Sequence, residues 1–283
     1  MKKYNLFLFT LFLLFVNIFL LFLDWQNSHR SLTFAMLDVG QGDGLFIESP
    51  TGTQIMFDAG PARKVLGPLS HVMSPFDKSI DALVITNPDA DHIGGFLDIL
   101  KTYKVGIVLE SGALTDSKIY QNFKEEIKKQ KIPDILAKKG MRLDLGGGVF
   151  IDILFPDRDV SEWATNDGSV VARLSYGQTS IMLTGDATIK TEKIILSENS
   201  QAKLQSTILK VGHHGSRTSS SPEFVKAVSP FYALISDGKG NTYGHPHQDT
   251  SDVLSSFGAK IFRTDILGTI IIKCDKIEIC GIN

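Results

Sequence analysis

The sequence predicts an α/β protein: two mixed β-sheets covered by helices on their outer faces, preceded by one membrane-spanning helix. Three observations carry this. Strand-like and helix-like segments mingle in both halves of the 283 residues, without the strict alternation of a doubly wound sheet. Polar clusters recur where the strand-like runs stop. Residues 6–23 form an 18-residue apolar run broken by Thr10 and Asn17.

The apolar run comes first. As a helix it spans ~27 Å at ~1.5 Å per residue, close to the ~30 Å hydrocarbon core of a bilayer. A cleaved signal peptide has an apolar region of ~7–15 residues and small residues at its cleavage site. Here Asp24, Trp25, Gln26 and Asn27 follow instead, so an uncleaved anchor is expected. Lys2 and Lys3 precede the run and Asp24 follows it, although His29 and Arg30 reduce the contrast. The positive-inside rule then places residues 1–5 in the cytoplasm, 6–23 across the membrane, 24–30 as a linker, and 31–283 as an extracytoplasmic domain. Trp25 suits the membrane interface.

The soluble part begins with strands over 32–37, 45–48, 54–57 and 81–86. A helix over 95–103 has its apolar residues at helical spacing. A strand over 105–110 and a charged amphipathic helix over 116–129 complete the first half. The second half repeats the style, with strands over 149–154, 170–174 and 180–183, a helix over 189–197 and a strand over 207–211. Ser221 and Pro222 read as an N-cap and first helical residue. A strand over 232–236, a helix over 249–257 and strands from 260 onward finish the chain.

Net charge is −2, so there is no global basic field for nucleic acid. The only cysteines are Cys274 and Cys280. A hairpin turning at Asp275 and Lys276 leaves them poorly placed to bridge, so they say little about compartment.

The polar clusters are DVGQGD (38–43), FDAG (57–60), NPDADH (87–92), NDGS (166–169), TGDA (184–187), VGHHGS (211–216) and YGHPH (243–247). Glycine beside each permits close backbone approach to a ligand. Loops gathered at one sheet rim are where sites are built. Taken singly, an Asp-Gly is a turn and a histidine after a strand is a structural hydrogen-bonder. Turn chemistry does not explain Asp89, Asp91 and His92 together.

LDVGQGD, FDAG, DADHIGG, LTGDA, LKVGHHGS and YGHP resemble the metallo-β-lactamase-fold hydrolases. They are most similar to the extracytoplasmic nuclease-like domain of ComEC-type DNA-uptake proteins. The likeness covers about residues 31–275. It implies an αββα sandwich with a one- or two-metal site at the sheet edge. The superfamily signature His-x-His-x-Asp-His falls on Asn87, Asp89, Asp91 and His92; the Asp at 89 is usual for the ComEC-like branch, and Asn87 departs from it. A further histidine of the superfamily falls on Asn166 and is also absent. Asp186 matches the bridging carboxylate. His213 matches the last histidine ligand, with His214 adjacent as an alternative. Asp58, with Asp43, matches carboxylates that orient the ligands.

This divides the expected site. Asp91, His92, His213 and shared Asp186 form a mixed nitrogen–oxygen set suited to Zn²⁺ or Mn²⁺. Asp89 and Asp186, with the Asn87 and Asn166 amide oxygens, form an all-oxygen set suited to Mn²⁺ or Mg²⁺. A full site beside a weaker one is expected. A bound cation acidifies water toward pKa ~7, and two cations ~3.5–4 Å apart clamp both reacting oxygens of a phosphodiester. Asp91 orients the water. His245 contacts a phosphate oxygen or protonates the leaving group. Ser216, with Ser219, Ser220 and the helix from Pro222, can bind anionic oxygens, or is a serine-rich cap.

The expected activity is a membrane-anchored, metal-dependent phosphodiesterase acting on DNA, in uptake or in surface DNA degradation. ComEC-type proteins couple this domain to a multi-span channel, so one span implies a separate channel partner. Alternatives are a teichoic-acid or choline-phosphate esterase of the same fold, or a non-catalytic binding module that has lost metal through Asn87 and Asn166. Antibiotic hydrolysis is disfavoured by the lost imidazoles.

Overall fold

A computed structural model describes residues 2–28, 31–275 and 280; of the first helix, the side chains described are those at 4, 5 and 7–21. Helix α1 runs Lys2–Ser28, through most of the segment expected as linker, whose last two positions lie outside the described residues. Among the described residues no helix is long and apolar enough to cross a membrane.

Among the described residues fourteen strands follow: β1 Leu32–Met36, β2 Gly44–Glu48, β3 Gln54–Ala59, β4 Ser79–Ile85, β5 Lys104–Glu110, β6 Asp134–Leu136, β7 Arg142–Asp144, β8 Val149–Phe155, β9 Val171–Tyr176, β10 Thr179–Leu183, β11 Ile208–Lys210, β12 Tyr232–Ile235, β13 Lys260–Arg263 and β14 Ile270–Cys274. They form two seven-stranded sheets, ordered β14-β1-β2-β3-β4-β5-β6 and β13-β12-β11-β10-β9-β8-β7. Each sheet is antiparallel on one side and parallel on the other. In the first, β3 to β6 run parallel; in the second, β10 to β13 do.

Helices α2 Leu66–Val72, α3 Ala90–Ile93, α4 Phe96–Thr102 and α5 Lys118–Gln130 follow strands of the first sheet. Helices α6 Ile189–Glu198, α7 Gln201–Leu204, α8 Pro222–Val228, α9 Gln248–Ser256 and α10 Thr264–Leu267 follow strands of the second. Strand pleating explains the layering. Along β1, Leu32, Phe34 and Met36 enter the core between the sheets, while Ala35 joins the core under the helices. Strands buried on both faces read as nearly continuous apolar runs; all five residues of β10 are buried. Phe96 and Phe123, from α4 and α5, pack at 5.9 Å over the first sheet. Phe224 and Val225 of α8 and Leu254 of α9 do the same for the second. Ser221 caps α8 by accepting from Phe224 N, as expected.

β6 and β7 went unread because each is a three-residue, largely exposed sheet edge with no legible alternation. α2 went unread because Gly67 and Pro68 lie inside it. The cysteines do bridge: Cys274 and Cys280 form a disulfide with Cα atoms 4.8 Å apart. Cys280 docks on β10, its N–H donating to Thr179 Oγ1 at 3.1 Å, and so returns beside Cys274 in the core. The turn position Lys276 lies outside the described residues.

Candidate metal centre

The carboxyl ends of the parallel strands of both sheets meet at one rim, where open α/β sheets place their ligands. Five strands deliver the site: β3 carries Asp58, β4 leads to Thr86–Asp91, β10 to Asp186, β11 to a 3-10 turn over Gly212–Gly215, and β12 to Ser236. The loop before β2 brings Asp43. That approach requires Gly42, at φ 139°, since a Cβ there would lie 2.2 Å from the Asp91 carbonyl oxygen.

Asp91, His92, Asp186 and His214 each offer a ligand atom within 4.8 Å of the others. His92 Nδ1 donates to Asp58 Oδ2 at 2.8 Å, which turns Nε2 toward Asp186 Oδ2 at 3.0 Å. His214 Nδ1 donates to the Ser236 carbonyl at 2.9 Å, leaving Nε2 at 3.4 Å from Asp91 Oδ2 and 3.6 Å from Asp186 Oδ2. His92 Nε2, His214 Nε2 and Asp186 Oδ1 are buried, yet none makes a well-aligned hydrogen bond. Groups that approach without aligning on one another are directed at a common point. Two imidazoles and two carboxylates form a donor set suited to a divalent cation. Asp91 is the open wall, its side chain 39 % exposed.

Asp58 sits at φ 55°, an uncommon conformation for a non-glycine residue. It is held there by accepting from Thr86 N at 2.8 Å and Thr86 Oγ1 at 2.5 Å as well as from His92. Such outer partners fix a ligating ring's tautomer and orientation. Asp43 meets the Lys210 ammonium and lies 3.4 Å from His214 Nδ1. Lys210 is fully buried, donates to the Gly185 carbonyl at 2.8 Å, and lies 3.9 Å from Asp186 Oδ1. Neither Lys210 nor Thr86 was read as part of the site. The available signal was a lysine inside the apolar run TILKV.

The charges interlock. Burial opposes ionisation of His92, but Asp186 and Asp58 outweigh it and hold its pKa well above the usual value. Burial likewise opposes charge on His214, yet Asp186 and Asp43 push it up to about 10. Burial alone would raise Asp186; the positive His92, His214 and Lys210 hold it well below the usual carboxylate range.

The sequence reading favoured His213 as the last ligand, and the geometry places His214 there instead. Both have left-handed backbone, φ 48° and 53°. This swings His214 inward and His213 outward, where its Nδ1 bonds Thr218 Oγ1 at 2.9 Å and Nε2 stays 3.8 Å from Asp186. Asp89 also falls outside the four-residue group, its Oδ2 accepting from Thr165 Oγ1 at 2.8 Å. The amides of Asn87 and Asn166 face each other rather than a cation. Asn87 Nδ2 donates to Asn166 Oδ1 at 3.3 Å, and Asn87 Oδ1 accepts from Asp89 N at 2.9 Å.

Ser216 is buried in a turn with Thr218, which donates to it, so it does not face a substrate. Ser219 donates to the Gly212 carbonyl, and the Ser220 and Ser221 amides donate to Glu192 at 2.5 and 2.9 Å. The Glu192 carboxylate thus fills the place proposed for an external anion. His245 stands at the mouth. Its ring is 6.2 Å from His214 and 5.7 Å from His213, and Gln41 Nε2 donates to its Nδ1 at 3.4 Å. Burial and the charges of His214, His213 and His247 push its pKa down to about 4. It is therefore neutral near pH 7 and suits hydrogen bonding to an oxygen better than protonating a leaving group.

The αββα sandwich carries a histidine–carboxylate cluster, a candidate metal site, at the shared strand ends. The match of residues 37–236 to the family model described as "Metallo-beta-lactamase superfamily" takes in the whole cluster, and the chain belongs to that superfamily. It is similar to ComE operon protein 3 of Bacillus subtilis (strain 168), 33 % identical over 83 % of this chain and 32 % of that protein. Competence protein ComA of Neisseria gonorrhoeae is 29 % identical over 82 % of this chain and 31 % of that protein. The chain thus spans about a third of the length of these competence-type relatives. Among solved structures, CmlA, a diiron β-hydroxylase from Streptomyces venezuelae, superposes with a TM-score of 0.57 at 15 % identity, over 87 % of this chain and 54 % of that one, a likeness of fold.

Proposed function

We propose that this chain is a metal-dependent phosphodiesterase acting on DNA, held by residues 6–23 at the outer face of a membrane. The convergence of Asp91, His92, Asp186 and His214, with buried ligand atoms aimed at one point, carries the reading. A divalent cation bound there supplies a Lewis acid that lowers the pKa of water toward ~7. The protein's own groups do the rest. Asp58 and Ser236 hold the two imidazoles, Lys210 and Asp43 fix the carboxylate side, and Asp91 orients a water at the open wall. Neutral His245, steadied by Gln41, donates a hydrogen bond to a phosphate oxygen at the mouth.

The likeness to competence proteins supports DNA as substrate and a membrane channel as partner. The apolar run and the lysines before it support the anchor and its orientation. The Cys274–Cys280 bridge supports an oxidising, extracytoplasmic setting for the domain.

The hydrogen bond between Asn87 and Asn166 favours a second reading, a metal-poor binding module. Incubation of the detergent-purified chain with Mn²⁺ or Zn²⁺ and linear DNA, with a bis-aryl phosphate and choline-phosphate or teichoic-acid esters in parallel, separates the readings. DNA cleavage that chelation abolishes is the expected result. Turnover of the esters without DNA cleavage makes the chain an esterase. No turnover of any substrate with either metal makes it a binding module.

A further inference from the structure

Tyr243 is 67 % exposed, yet it sits on a well-tethered loop beside the metal centre. Asn241 Nδ2 donates to the Gly238 and His245 carbonyls at 3.1 and 2.7 Å, and His245 N donates back to Asn241 Oδ1 at 3.0 Å. Gln41 pins the same loop by accepting from Gly238 N at 3.2 Å. The Tyr243 ring lies nearly parallel to that of His245, at 23° and 5.7 Å between centroids. His245 in turn adjoins His213 and His214. An aromatic stair thus descends from solvent to the cluster, and its top step presents a flat face outward.

We propose that Tyr243 is a stacking platform for an unpaired nucleobase flanking the scissile phosphate, which makes single-stranded nucleic acid the preferred substrate class. This rests on the phosphodiesterase reading. Exposed aromatics beside a backbone-binding groove hold bases by their π-faces without regard to sequence. In a duplex those faces are covered by neighbouring base pairs, so the platform engages a strand whose bases are free. His245 backs the Tyr243 ring on one side and faces the phosphate on the other, coupling base capture to placement of the reacting group.

The test uses the full-length chain in detergent and a fluorescently labelled oligothymidylate. Anisotropy titrations without metal measure binding, and Mn²⁺ kinetics measure KM, for the intact strand and for one abasic at the flanking positions. The wild type is expected to prefer the intact strand by about tenfold. Tyr243→Ala should erase that preference and Tyr243→Phe should keep it. Equal affinity of wild type and Tyr243→Ala for the intact strand overturns the proposal, as does absence of a preference over the abasic strand. Binding is read apart from cleavage: a wild type that shows the stacking preference but cleaves nothing refutes the phosphodiesterase reading and leaves the platform standing.

Discussion

Asn87 and Asn166 hydrogen-bond to each other across 3.3 Å, each standing where the superfamily resemblance calls for a histidine. This contact joins the ends of two segments far apart in the chain. It engages the Asn166 amide oxygen, while that of Asn87 accepts from Asp89 N. A second cation would compete with these hydrogen bonds for the amide oxygens. The cluster on the other side, with Asp91, His92, Asp186 and His214, keeps its ligand atoms turned inward.

Restoring the imidazoles should therefore open the second half. The Asn87→His/Asn166→His double variant is expected to bind two Zn²⁺ per chain where the wild type binds one. Elemental analysis after dialysis against buffered metal reads the count. Binding of a single ion by the double variant would show that these positions do not face the centre.

Metal uptake should release protons. Without a cation, His92 is held well above its usual pKa and His214 at about 10, which favours the charged ring in both. Binding must displace those protons, so metal affinity climbs with pH over the neutral range. Calorimetry in two buffers of different ionisation enthalpy at pH 7 should report roughly two protons released per ion. The same sign governs stability of the metal-free protein. A histidine whose pKa rises on folding contributes fully below the unfolded value of 6.5 and progressively less as pH rises through its folded value. Depressed Asp186 and Asp43 contribute above 3.8 and lose this as pH falls through their folded values. Melting of the metal-free chain should thus peak in mildly acidic solution, and a melting temperature that rises steadily from pH 6.5 to 9 would contradict this.

Asp58→Asn should weaken metal binding by about 10- to 100-fold while the fold survives. Asp58 is not among the four converging residues Asp91, His92, Asp186 and His214; it holds His92 Nδ1 and the Thr86 backbone. Competition with a chromogenic chelator measures the change, and circular dichroism checks the fold. Unchanged affinity would mean that the His92 ring is oriented by its packing alone.

Lys210→Met should destabilise the chain by about 3–5 kcal/mol, because it leaves the buried Asp43 carboxylate without its cation. Adding Asp43→Asn should recover part of the loss. Urea unfolding of both variants measures this, and equal losses in the single and double variants would show that the pair is not the cause.

The sandwich was legible because its central strands are largely buried and stop abruptly at polar clusters, as the run before Asn87 does. Asp58, Asp91, His92 and Asp186 were legible for the same reason, each lying at the end of an apolar run. The choice between His213 and His214 was not. It depends on left-handed backbone at two adjacent residues, which composition does not signal. Lys210 was hidden because a lysine in a strand ordinarily marks a solvent face, whereas here both sheet faces are covered. Ser216 and its neighbours looked like an anion site because nothing local reveals that Glu192, on another helix, already occupies it. The disulfide escaped because the contact that seats Cys280, its N–H on Thr179 of β10, is long-range and has no local signal.

The most direct test is a Mn²⁺ titration of the full-length chain followed by electron paramagnetic resonance, in the wild type and in His214→Ala and His213→Ala. One tightly bound ion is expected in the wild type and in His213→Ala, with loss of that ion in His214→Ala. Two equally tight ions in the wild type, or loss with His213→Ala and retention with His214→Ala, would contradict a single centre built from Asp91, His92, Asp186 and His214.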